Sequence, residues 1–213
     1  MTIATFDNLK DAISNWMKRS ELANAGADDA RTTEFIALTE AWLNRKLRTR
    51  QMEARSTASF SGEFLALPTD YLSMRDLEFN SDPLRKPPYM TPNQLEQTYP
   101  HGGAEEPKGY SIVGDQLQFR PITDTTRTVE IAYYQKIPAL SDSNTTNWLL
   151  DLAPDVYLFG TRAHADAYFA DFEASGSVWF PAFTGAVSDL QASEIRGRYP
   201  SGGLAMRSIV SGI

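Results

Sequence analysis

The side chains able to do chemistry in this chain are few and scattered. It has two histidines, His101 in a Pro-His-Gly-Gly turn and His164 beside Asp166 in a helical stretch. No HExxH or comparable pair brings them together, so no metal ligand set is expected. Glu105-Glu106 and Asp70 are the carboxylates that could serve as an acid and a base about 5–10 Å apart, as in glycoside hydrolysis. Adjacent glutamates on a loop point apart, which argues against that use. Ser61-Gly62 and Ser201-Gly202-Gly203 lack the GxSxG elbow that exposes a nucleophile. Gly102-Gly103 and Gly202-Gly203 form neither a phosphate-cradling loop nor a dinucleotide fingerprint. Cysteine is absent, which removes thiolate nucleophiles, thiolate zinc sites and disulfides. Trp148, Trp179 and Tyr133-Tyr134 fall where core aromatics are expected and not on a stacking platform. No catalytic residue, metal or cofactor is expected, and the chain reads as a non-enzyme.

The elements explain why nothing converges. Phe6, Leu9, Ile13 and Trp16 recur at helical spacing behind a capping Thr5. A second helix is expected from about Asp28 to Arg50, with Phe35, Leu38, Trp42, Leu43 and Leu47 on its apolar face. Its end carries Arg45, Lys46, Arg48 and Arg50, the one basic cluster of the chain. Those cations complement the helix dipole, or they contact an acidic partner surface or DNA phosphates.

The period changes between Thr57 and Gln135. Strands are expected around Phe60–Leu67, Leu72–Phe79, Tyr110–Val113 and Gln116–Arg120, the last two joined by a turn at Gly114-Asp115. Val129, Ile131 and Tyr133 alternate with polar neighbours as a half-buried strand. Thr91-Pro92-Asn93-Gln94 is a capping box opening a short helix. Helical signals return at Pro154, for a helix to about Asp171, and from about Val178, with Pro181 in the first turn. The stripe Tyr157, Gly160, Ala163, His164, Ala167 and Tyr168 would let another helix approach closely.

The expected fold class is therefore α+β. The N- and C-terminal helices (1–56 and 138–199) form an antiparallel helical bundle. A small antiparallel β-rich lobe of four or five short strands (57–137) is inserted, and 200–213 is an extended tail. The 27 acidic against 20 basic residues give a net charge of −7, which lacks the footprint of a duplex-binding domain; charge alone favours a merely soluble acidic surface over a channel wall past which DNA slides. The first residues do not read as a secretory signal. No stretch reaches the roughly 18 apolar residues of a membrane span.

Several segments, in order, carry a resemblance. EFIALTEAWLNRKLRTRQME, LPTDYLSMRDLEF, YMTPNQLEQ, the Tyr110–Ile137 strands, IPALSDSNTTNWLLDLAPDVYLFG and SGGLAMR together resemble the head-to-tail adaptor (connector) proteins of tailed bacteriophages. The resemblance implies a structural virion protein at the neck, made in the host cytoplasm. It implies a homo-oligomeric ring of about twelve copies, bound to the phage portal protein, with tail or nozzle proteins below. DNA would pass through the channel without sequence-specific binding, and no membrane would be involved. The tail residues Gly202, Gly203, Leu204, Met206 and Arg207 would lie against the portal. Because a tail ordered on binding loses entropy, many copies must engage together, and the free protein would stay monomeric until then. The alternative is a peptidoglycan-active or minor tail protein of the virion.

Overall fold

The computed structural model describes residues 3–81, 83–100, 105–169 and 176–198. The chain divides into two compact units, Met1–Gln51 with Ile137–Ile213, and Met52–Lys136.

The first unit is helical. Helix α1 (Phe6–Met17) starts at Thr5, whose hydroxyl accepts from the Asn8 N–H at 3.3 Å. Its buried face holds Phe6, Leu9 and Ile13, whereas Trp16 stands half out of the surface. Helix α2 (Asp29–Lys46) stops at Leu47, short of the expected Arg50. The short α4 (Trp148–Leu152) is capped by Asn147 and leads into α5 (Pro154–Phe169). Helix α6 (Gly176–Arg198) begins before the expected Val178, so Pro181 lies inside it and not in its first turn. Phe183, Val187 and Leu190 are buried as the spacing predicts, while Phe180 is exposed.

The second unit is a four-stranded antiparallel sheet: β1 (Glu53–Ala66), β2 (Tyr71–Phe79), β3 (Gly109–Val113) and β4 (Gln116–Gln135). Strand β4 is central. It pairs with β1 along one edge, and with β3 and then β2 along the other. The first and last rungs of β1 are Glu53 with Tyr134 and Ala66 with Gln116. Phe60, Phe119, Val129 and Ile131 fill the core under the sheet, with the Phe60 and Phe119 rings stacked at 4.4 Å. Each such side chain removed from water contributes about 1.5–3 kcal/mol. Helix α3 (Pro92–Thr98) has the expected capping box between Thr91 and Gln94, and Gly114 turns β3 into β4 at a positive φ of 59°.

This corrects the expected fold class. The chain is α+β, but among the described residues it has six α-helices and one four-stranded sheet, and strands dominate the middle. In place of a lobe of short strands, β1 has 14 residues and β4 has 20. Pro121 lies within β4. It falls where β1 and β4 lose register, between the rungs Gly62–Thr123 and Phe64–Gln118, so its missing N–H costs no ladder bond. The helices gather on one shared element, α5, against which α1, α2, α4 and α6 all pack.

Gly160 makes the closest of these approaches possible. A Cβ built there would lie 2.5 Å from Thr39 Cγ2 on α2 and 2.8 Å from Phe183 Cε2 on α6. Of the stripe expected to allow close packing, Tyr157 and Gly160 are buried, and Ala167 and Tyr168 are exposed.

Candidate assembly surfaces

The basic cluster sits where α2 ends. Arg45, Lys46, Arg48 and Arg50 are all exposed. The Arg48 guanidinium turns back to donate to the Asn44 carbonyl at 2.8 Å and to the Leu47 carbonyl, satisfying acceptors that a helix end leaves open. Arg50 donates from its backbone N–H to Glu194 and from its side chain to the Gly197 carbonyl, each at 3.4 Å. Gln51 bonds the same Glu194 at 2.8 Å. The end of α6 thus fastens the segment that follows α2. Arg45 also acts on His164 of α5. Burial pulls that imidazole below its ordinary value, and the nearby guanidinium lowers it further. His164 is half-buried on α5.

The loop after the sheet, 137–147, is held by a buried polar clasp. Asn44 Oδ1 accepts from the Ile137 N–H at 2.9 Å, and one turn earlier on α2 Glu40 Oε1 accepts from the Leu140 N–H at 2.9 Å. The same Glu40 oxygen accepts from the Tyr157 hydroxyl at 3.0 Å. Asn147 donates to the Tyr157 oxygen at 2.7 Å and to the Pro138 carbonyl at 2.8 Å, while its own Oδ1 caps Leu150. The Phe6 N–H closes the far side on the Thr145 carbonyl at 2.7 Å. Burial raises the Glu40 carboxyl above its ordinary value, against the lowering by the Leu140 N–H and the Tyr157 hydroxyl. Burial, then the Glu40 charge, pushes the Tyr157 phenol up. Through these bonds Glu40 positions the loop backbone and the Tyr157 ring.

Sequence reasoning missed this clasp. Glu40 and Asn44 are four residues apart on one helix face, flanked by buried Thr39 and Leu43. A polar pair at that spacing, facing a proline-containing loop, is the signal that could have found it.

The remaining candidates are not brought together. Glu105 pairs with Lys108 at 2.8 Å, which holds its carboxyl below the ordinary range, whereas a general acid needs the opposite shift. Glu106 pairs with Arg85 and, at 4.0 Å, with Arg127. Asp70 accepts from the Tyr133 hydroxyl at 3.0 Å. Among the described residues no group of three or more His, Cys, Asp or Glu side chains could hold a metal ion. No helix among them is long and apolar enough to cross a membrane. His101 and the tail residues Gly202, Gly203, Leu204, Met206 and Arg207 lie outside the described residues.

A family model described as SU10 adaptor protein matches residues 4–207. No curated protein matches the chain.

Proposed function

The chain belongs to the SU10 adaptor protein family of bacteriophage adaptors, and on that footing we propose that it joins head to tail, binding the portal as a ring and extending the DNA channel towards the tail. The coarser role, a structural adaptor of the virion that interacts with other virion proteins, follows from the family. The single observation that carries the finer reading is the family match over residues 4–207.

Physical features support it. A ring needs subunits that contact their neighbours through unlike surfaces and close by rotation. A net charge of −7 repels DNA weakly and suits a channel through which DNA slides. The exposed cations Arg45, Lys46, Arg48 and Arg50 are the surface for an acidic region of a virion partner. The tail with Gly202, Gly203, Leu204, Met206 and Arg207 is the segment that lies against the portal, where many copies bind together more tightly than one.

The test is co-sedimentation with the cognate portal protein. The full chain pellets with the portal, and deleting 200–213 weakens that association. Glu105→Gln with Glu106→Gln leaves it unchanged. Failure of the full chain to bind the portal overturns the reading.

A further inference from the structure

Helix α2 is apolar on its outer side as well as its inner one. Thr32, Phe35, Ile36, Thr39 and Leu43 are buried, yet Ala37, Leu38 and Ala41 are exposed, with Leu38 at 46%. Trp42 is half-buried beside them, next to the exposed Phe180 of α6 at a ring-centroid distance of 6.4 Å. A helix that turns apolar side chains to both sides is normally covered on both. The strip is bounded by exposed Glu34 on its N-terminal side and exposed Arg45 on its C-terminal side.

From this we infer that the outer strip of α2 is the contact between two copies of this chain, packed antiparallel about a two-fold axis, before assembly at the neck. The strip is complementary to itself. Run antiparallel, Leu38 meets Ala41 of the second copy and Trp42 meets its Ala37, large against small at each step. The same register sets Glu34 against Arg45 of the second copy, twice by symmetry, and opposes the two helix dipoles. Arg31 does not disturb this register, because its guanidinium lies over the Tyr168 ring at 4.6 Å. Arg48 is likewise turned to its own helix end.

The inference goes beyond the ring reading, since it concerns the free protein. It also replaces the monomer expected from the tail alone. A two-fold contact cannot itself grow into a ring, so the dimer withholds the strip until the portal is available.

Sedimentation velocity of the purified full chain over a concentration series tests it. The expected result is a monomer–dimer equilibrium. Leu38→Glu weakens it at least about tenfold, because a carboxylate would be buried against apolar groups. Arg45→Glu alone also weakens it, and Glu34→Arg combined with Arg45→Glu restores it by exchanging the charges. Circular dichroism melts of these surface variants are expected to match the parent. A monomer at all concentrations overturns the inference, as does a dimer indifferent to Leu38→Glu. Ring-sized particles without portal also overturn it, while leaving the ring reading intact. An unchanged dimer combined with lost portal co-sedimentation in Leu38→Glu would reassign the strip to the portal.

Discussion

Replacing Gly160 with alanine sets two effects of known sign against each other. An alanine in a helix interior is favoured over glycine by about 1 kcal/mol, so an open site would be stabilised. Here the new methyl would stand 2.5 Å from Thr39 Cγ2 and 2.8 Å from Phe183 Cε2, where ordinary carbon contacts begin near 3.5 Å. Both neighbours are fully buried and belong to different helices, so moving away from one drives the methyl towards the other. Thr39 is further fixed by its hydroxyl bond to the Phe35 carbonyl at 2.9 Å. Overpacking of this kind costs about 1–3 kcal/mol, and with both walls fixed the upper part of that range applies. The net expectation for Gly160→Ala is a loss of about 1–2 kcal/mol, or a fall in Tm of roughly 2–8 °C for a chain of this size. Thr39→Ser removes the offending methyl and keeps the hydroxyl. The double variant should therefore recover part of the loss, giving a favourable coupling in a double-mutant cycle followed by urea denaturation. A Gly160→Ala protein as stable as the parent, or a cycle with no coupling, would refute the claim that α2, α5 and α6 meet at contact distance through this glycine.

Glu40→Gln retains an oxygen able to accept from both Leu140 and Tyr157 while removing a buried charge. Because burial raises the folded-state carboxyl above its ordinary value, the folded state holds its proton more tightly than the unfolded one. Stability from this group is thus fully present below the unfolded value and is lost as pH rises through the folded one. The Gln variant should gain on the parent across that window in denaturation from pH 4 to 7.5; a gain that shrinks with rising pH would be the wrong sign. Asn147→Ala removes the cap on Leu150 and both side-chain donations, to Tyr157 and Pro138, and should cost about 1–3 kcal/mol. Hydrogen exchange should quicken at the Leu140 and Leu150 amides and not in β4, and uniform quickening would contradict a local clasp.

What could be read in advance depended on how local its cause was. Thr5, the Thr91–Gln94 box and the Gly114 turn act within a few residues, and each stands where the sequence places it. The alternation of Val129, Ile131 and Tyr133 was legible for the same reason, all three being buried. The face of α2 was legible in part: Phe35, Leu43 and Leu47 are buried as expected, whereas Leu38 is exposed and Trp42 half-buried. Its core side includes Thr32, Thr39 and Glu40, and its outer side includes Ala37, Leu38 and Ala41, so apolar residue types no longer mark the inside. The basic end of α2 was visible as a run of cations, but the clasp around Glu40 joins residues from 40 to 157 that only the fold brings together.

The register of β1 has a mechanical consequence. The chain enters the sheet unit at Glu53 and leaves it past Tyr134, and these two residues are direct partners across the β1–β4 ladder. A force applied at the two crossing points would open that ladder one rung at a time from its end, as a zipper, and would not load its rungs together in shear. The sheet would then yield at low force and close again from the Gly114 end inward. The same adjacency holds the unit's own first and last strand residues about one strand spacing apart, roughly 5 Å.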